Sequence, residues 1–440
     1  MPLAFGLLLR HFKCPLQWDS YDRLTGKYGE ERVIKKKSSV RLLFSGFLPL
    51  FILAHFGHHV VGAMLRPLMP MIRTDLSLNY TEVGVVISAF AITSGISQLP
   101  AGWLADRFEA RKLILISISG VALAGILIGL APSYSVLITF LVIAAMLGGG
   151  YHPASSAVIS SSVPAEYRGR ALGFHLIGGS STFWIVPLLA TPIAVAWGWN
   201  SAYIFLSIPA VFLGIVLYIF IGRRGKAQEL TLRAGVGQAT GNDNSVNWRR
   251  LLPFFLMSIL TGTILRSVVA YFSLYAVDHL GVTEATAALL VTITPAVGLL
   301  AAPLGGYLSD RIGTIPILLT LSFMAAPIVY ILGLVSNVSI FIVVMIVIGF
   351  INFTRGPTSE SFIAVHTPQH RRSTILGIYF FANAEVSGLL TPVVGRLIDW
   401  RGFKTSFNIV SISLAAVVAI CSVFIWRNRN QSNTEYSAPS

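Results

Sequence analysis

The chain has 440 residues, 54% hydrophobic and only 11% charged, against about a quarter charged in a soluble domain. That excludes a water-soluble enzyme and points to a bilayer. Cys14 and Cys421 lie at opposite ends of the chain, which excludes a disulfide framework, and the formal net charge of +14 has a topological explanation given below, without a nucleic-acid partner.

Residues 1–41 form a polar, basic head. The opening "MPLAFGLLLR" has no basic segment before its short apolar run and no small-residue cleavage site after it, so the first span serves as its own address. Crossing about 30 Å of hydrocarbon takes roughly 20 apolar residues. Runs of that length, divided by charges and by Gly/Pro clusters, are expected twelve times: near 42–70, 82–105, 112–131, 134–162, 169–196, 200–222, 251–277, 285–308, 314–334, 337–364, 372–398 and 404–426. A polar connector, 223–250, divides them into sixes, and 427–440 is a short polar tail.

Lys and Arg near span ends collect on the cytoplasmic side. With both termini inside, 25 of the 32 Lys and Arg fall in cytoplasmic segments. Arg73, Arg396, Arg401 and Lys404 fall outside, and Arg66, Arg266 and Arg355 lie within apolar runs. The excess of positive charge is therefore a record of topology, and the expected location is a bacterial-type plasma membrane.

"GWLADR" at 102–107 returns as "GYLSDR" at 306–311. The same offset of 204 pairs Gly102 with Gly306, Asp106 with Asp310, Arg107 with Arg311, Pro153 with Pro357, Ser155 with Ser359, Pro164 with Pro368, Arg168 with Arg372, Gly173 with Gly377 and Gly198 with Gly402. Prolines, glycines and charges at matched places set backbone shape. The expected fold is an all-α integral membrane protein of twelve transmembrane helices in two pseudo-twofold six-helix bundles, 42–222 and 251–426, a duplication that places a site where the halves meet.

"GWLADRFEARK" and "GYLSDRIGTIP" resemble the signature loops of the major facilitator superfamily. "GGGYHPASSAVISSSVPAEYRGRALG" (148–173) is similar to that superfamily's fourth-helix pattern, and "HPASS" followed by "GFHLIGGSS" is similar to its fosmidomycin-resistance exporter branch. The resemblance implies a cytoplasmic gate in which Gly102 and Gly306 permit close helix packing. It also implies that Asp106 faces Arg371 or Arg372 at the start of helix eleven, and Asp310 faces Arg168 or Arg170 at helix five. Such contacts exist only while that side is shut; the plainer alternative is that Asp106 and Arg107 solubilise a loop. Two departures leave direction open: Ala144 stands where drug/proton antiporters carry arginine, and Val186 precedes Pro187 where they carry glycine.

Ionisable groups inside a membrane normally face a cavity or a partner. At 1.5 Å per residue from the cytoplasmic boundary, Arg355, Glu385, His152 and His55 lie about 18–21 Å deep and Arg266 about 24 Å, whereas Glu360 and His175 lie about 10–12 Å deep. His55, His59, Gly62 and Arg66 share one face of the first helix, flanked by His58. His152 shares a face with Ser155, and Arg355 with Asn352 and Ser359. The implied fold lines its cavity with helices one, four, seven and ten, and this layer draws on all four. Candidate substrate and coupling residues are thus His55, His58, His59, His152, Arg266, Arg355, Glu360 and Glu385, with His175 read as a packing residue. Arg355 paired internally with Glu385 is the structural alternative.

No "GxxxxGK[ST]" loop, "HExxH" pair or acylating-serine motif occurs, so no catalytic residue, cofactor or metal is expected. The expectation is a monomeric secondary transporter of a small organic solute working by alternating access. Coupling to H+ is expected through Glu385, Glu360 or the histidines, and two arginines against one mid-depth carboxylate favour an anionic or polar solute, with export as the leaning. The alternatives are a polyspecific drug exporter, an importer of an organic acid, and a non-transporting receptor or scaffold.

Overall fold

The computed structural model describes residues 48–107, 109–163, 168–224, 248–367 and 372–435. The basic head and most of the connector lie outside the described residues. Every regular element among them is helical: α1 (Leu48–Leu65), α2 (Met69–Leu76), α3 (Tyr80–Arg107), α4 (Ala110–Leu115), a π-helical turn (Ile116–Gly120) and α5 (Val121–Gly129). Then come α6 (Tyr134–Gly148), α7 (Tyr151–Ser162), α8 (Arg168–Arg224), α9 (Trp248–Val269), α10 (Phe272–Asp278), α11 (Glu284–Leu290), α12 (Ile293–Ile312), α13 (Thr314–Leu332), α14 (Val338–Val365) and α15 (Arg372–Glu435).

Among the described residues, nine helices are long and apolar enough to cross a membrane. Two of them, Ala171–Gly222 and Ile378–Ile425, run for 52 and 48 residues, about 70–80 Å if straight and twice what a bilayer core requires. Each bends at a glycine in the left-handed region, Gly198 (φ 84°) and Gly402 (φ 70°), where a side chain would be strained. The bend in α8 is a reversal: Gly178 before it lies against Ile52 of α1, and Leu213 after it lies against Gly57. In α15, Ile375 before the bend and Cys421 after it share one core with Leu251 and Phe254 of α9. Gly198 and Gly402 are a repeat pair, so the duplication is visible as two hairpins of the same construction.

Helix starts follow local chemistry. The Thr283 side chain accepts from the Thr286 N–H, and Asn337 from the Ile340 N–H, each satisfying an orphan first-turn donor. Large apolar side chains such as Leu300, Trp197, Phe212 and Ile412 stay exposed on the outside, as expected of a surface solvated by lipid tails.

The face remote from the connector is closed by contacts between the two halves. Asp399 of α15 accepts from the backbone N–H groups of Tyr80 (2.9 Å) and Thr81 (2.8 Å) and from the Thr81 hydroxyl. A carboxylate thereby sits on the electropositive start of α3. Asp278 takes an ion pair from Arg73 and a 2.7 Å hydrogen bond from the Tyr80 hydroxyl, while Thr74 donates to Glu284 at 2.9 Å. Deeper down, Tyr271 donates to the Tyr80 and Thr391 carbonyls and Ser88 donates to the Gly388 carbonyl at 2.6 Å. The helices α3 and α15 stay in contact down to Gly95, against which the Glu385 carboxylate packs.

Candidate functional site

Two polar clusters lie inside the helices, one in each half. The first is built on α1, where a step of four residues puts His55 and His59 on one face with their Nε2 atoms 3.2 Å apart. The Gly-Gly interruption between α6 and α7 starts a new helix at Tyr151 and brings His152 alongside, its ring centroid 5.2 Å from that of His55 and 5.5 Å from that of His59. His175, on the first limb of α8, stacks on His55 at 4.2 Å. His58 stacks on Tyr151 at 4.5 Å, and its Nδ1 donates to the Ser117 carbonyl at 3.1 Å. Ser117 belongs to the π-helical turn, a local widening that recurs at functional sites.

The roles of the rings differ. His55 Nδ1 donates to the His175 carbonyl at 2.8 Å and His175 Nδ1 to the Phe51 carbonyl at 3.0 Å. His175 Nε2 lies 3.4 Å from the Ser155 hydroxyl, so both of its nitrogens have protein partners and it pins α8 to α1 and α7. His55, His59 and His152 instead converge on one another, with one donor atom from each within 4.8 Å of the others. These are the residues of the first cluster that could hold a metal.

The second cluster surrounds Arg355 on α14, which is 4% exposed. Its guanidinium donates from Nη1 to the Ser258 carbonyl and, at 3.1 Å, to the Ser258 hydroxyl. Ser258 also bonds the Ser359 hydroxyl (2.7 Å) and the Tyr379 hydroxyl (2.8 Å), which ties α9, α14 and α15 together. The helix α9 approaches so closely that a Cβ on Gly262 would lie 1.9 Å from Nη2; glycine is the residue that leaves room. Arg355 Nε is buried and unpartnered. Arg266, one turn further along α9, has an exposed side chain and is an electrostatic neighbour of Arg355, Tyr379 and Arg66.

The carboxylates stand apart from this cluster. Glu385 is half-buried, and its Oε1 has no hydrogen-bond partner where it packs on Gly95 at the seam of α3 and α15. Glu360 is exposed on α14. Among the described residues, the ion pairs join Arg73 to Asp278, and Arg111 and Lys112 to Glu109; Arg355 and Glu385 are not paired with each other. A buried, always-charged guanidinium facing hydroxyls, with a second arginine beside it, can neutralise an anion that enters between the helices.

Of the expected gate, Gly102, Asp106 and Arg107 lie in the last turns of α3, and Gly306, Asp310 and Arg311 in those of α12. Arg168 and Arg170 open α8, and Arg372 opens α15. Arg311 is exposed, with its guanidinium 5.0 Å from the Tyr307 ring centroid. The surroundings of Gly102, Asp106, Arg107, Arg168, Arg170, Gly306, Asp310 and Arg372, and the whole of Arg371, fall outside the described residues. Sequence reasoning did not single out Ser258 and Tyr379, which surround Arg355, or Asp278 and Asp399, which join the two halves. Tyr379 lies on the 204 offset from His175, so sliding the chain over the polar positions would have exposed it; Ser258 aligns with Ala54 and carried no such signal.

Comparison with known proteins agrees with this architecture. Residues 51–392 match the model of the Major Facilitator Superfamily. A probable sulfoacetate transporter, SauU of Cupriavidus necator, is 28% identical over 302 residues, covering 63% of this chain and 67% of that protein. The multidrug resistance protein MdtG of Escherichia coli is 24% identical over 397 residues, 86% of this chain and 93% of that one. Among solved structures, a bacterial homologue of the human lysosomal transporter Spinster, crystallised inward-facing and occupied, superposes with TM-score 0.73 at 13% identity, covering 90% of this chain and 99% of that one. A POT family transporter in complex with 5-aminolevulinic acid gives 0.72 at 14% identity, covering 86% and 96%. Because the superfamily model matches residues 51–392, most of the chain, the chain belongs to the Major Facilitator Superfamily and is a membrane transporter, not an enzyme.

Proposed function

We propose that the protein is a proton-coupled secondary transporter of a small organic anion, working by alternating access and leaning to export. Arg355 carries this reading: a buried guanidinium with no carboxylate partner among the described residues and an unsatisfied Nε. Burying a cation is costly unless something compensates it, and a transported carboxylate or sulfonate would do so. Arg266, exposed beside it, is the second anion ligand. The name of the sulfoacetate relative supports the same chemical class. Glu385, on the seam where α3 crosses α15, is the group proposed to carry the proton, because rearrangement of that seam would change the environment of its unpartnered oxygen.

In this reading the head, connector and tail are cytoplasmic, as the Lys/Arg distribution supports. The closed face is then external. The test is solute flux in proteoliposomes with an imposed pH gradient, comparing sulfoacetate, short dicarboxylates and cationic dyes. Flux of the small anions that follows the gradient is expected, with loss of at least about tenfold in Arg355→Ala and loss of pH coupling in Glu385→Gln. Undiminished anion flux in Arg355→Ala overturns the anion assignment, and flux indifferent to the gradient overturns the coupling.

A second reading, export of diverse apolar drugs, is favoured by the longer match to the multidrug resistance protein. Dye flux that survives Arg355→Ala while anions are refused would select it.

A further inference from the structure

We propose that His55, His59 and His152 form a binding site for one divalent transition-metal ion of the zinc class, with a fourth coordination position left for water or an anion. The two α1 histidines present Nε2 atoms 3.2 Å apart. Two ligands of one tetrahedral ion with Zn–N bonds of about 2.0–2.1 Å stand about 3.3–3.4 Å apart, so this edge of the tetrahedron is already close to its final length. His152 arrives from a different helix with its donor within 4.8 Å of both. A modest rotation of one ring closes the set.

The supporting contacts favour metal ligation over simple packing. His55 Nδ1 donates to the His175 carbonyl at 2.8 Å, which fixes the tautomer and leaves the Nε2 lone pair facing His59; an outer hydrogen bond of this kind orients most metal-binding histidines. In the metal-free state His59 therefore donates Nε2–H to His55. On loading, His59 changes tautomer: Nε2 gives up its proton as Nδ1 takes one up, the ring stays neutral, and the freed Nε2 lone pair binds the ion. His58 and His175 each turn Nδ1 to a backbone carbonyl and act as packing around the triad. His55 is 3% exposed, while His59 and His152 are only part-buried, which leaves a side for entry. Three neutral imidazoles with an open position suit zinc, cobalt or nickel better than magnesium or calcium, which take oxygen ligands.

The inference is independent of the anion reading, since the triad lies on α1 and α7 and shares no residue with the Arg355 cluster. Its test needs no transport. Full-length protein without a polyhistidine tag, stripped with chelator in lipid nanodiscs, is titrated with ZnCl2 by calorimetry and with CoCl2 by visible absorption. One ion per chain and the intense visible bands of four-coordinate cobalt are expected. His59→Gln and His152→Gln should each weaken binding at least about tenfold, and His279→Gln, at an exposed histidine elsewhere, should leave it unchanged. Absence of binding overturns the proposal, as does zinc binding that both triad variants retain. Because His59 and His152 are part-buried, these two variants decide the matter even where His55→Gln fails to fold.

Discussion

The histidine cluster and the arginine cluster occupy equivalent places in the repeat, and their differences are chemical. Adding 204 to Ser155 gives Ser359, and adding it to His175 gives Tyr379. The contact between them recurs in altered form: Ser155 touches the His175 ring directly at 3.4 Å, whereas Ser359 reaches the Tyr379 hydroxyl through Ser258. Adding 204 to His58 and Tyr151, which stack at 4.5 Å, gives Gly262 and Arg355, which also touch. Duplication therefore kept the meeting of three helices and changed what stands there. In one half it holds neutral nitrogen donors; in the other it holds a permanent cation with a fixed fork of donors. The comparison teaches that one frame of three meeting helices can carry two different sets of polar groups, which is what the two proposed assignments build on.

The sharpest way to break the comparison is to fill the space that distinguishes the second cluster. In Gly262→Ala the new Cβ falls 1.9 Å from Nη2 and 3.0 Å from Cζ of Arg355, so the guanidinium must leave Ser258. Losing hydrogen bonds to a charged group costs about 1.5–3 kcal/mol, equivalent to roughly ten- to a hundredfold in affinity. Anion flux is expected to fall by at least tenfold while zinc binding in the other half is untouched. If both change together, the clusters are one site and the comparison fails.

The residues that marked the fold in the sequence were those that shape the backbone. Gly198 and Gly402 were matched by offset alone, and both prove to be left-handed folds between helix limbs. Arg355 and His55 stood out because charge and imidazole are rare in apolar runs, and periodicity gave their faces. What periodicity did not give was partnership across helices. Arg355 and Glu385 share a depth, which made an ion pair a reasonable alternative, yet Glu385 is turned to the α3 seam and Arg355 to α9. Equal depth fixes position along the membrane normal and leaves rotation about each helix axis free. The seal at the face remote from the connector was hidden for a related reason: Asp278, Asp399 and Arg73 look like ordinary loop charges until Asp399 is seen 319 residues away on the Tyr80 N–H.

That seal allows the comparison to be sharpened, because opening it should separate the halves while leaving each cluster intact. Asp399→Asn keeps the shape and removes the charge from the start of α3. Loss of a charged cap of this type is worth about 1 kcal/mol, roughly a fivefold shift in population. In a background lacking Cys14 and Cys421, Ser88→Cys places a thiol under the seal, since Ser88 is buried against Gly388. Its modification by a membrane-impermeant maleimide is expected to quicken about fivefold when Asp399→Asn is added, with zinc affinity unchanged. An unaltered labelling rate would show that the carboxylate does not hold the two halves together.

The smallest expected effect separates the two serines that the repeat made alike. Ser359 bonds the Ser258 hydroxyl at 2.7 Å and the Arg355 carbonyl at 2.9 Å, so it helps aim the hydroxyl that Arg355 uses. Ser155 donates to the His152 carbonyl at 3.2 Å and approaches His175 only at 3.4 Å, near the limit of a useful bond. A neutral buried hydrogen bond contributes about 0.5–1.5 kcal/mol. Ser359→Ala should therefore lower anion flux about threefold to fivefold, whereas Ser155→Ala should change it by less than about twofold. Equal losses would mean that both serines serve helix packing alone. The arginine cluster would then owe its function to the guanidinium and to the space beside Gly262, and the hydroxyl chain would be a shared relic of the duplication.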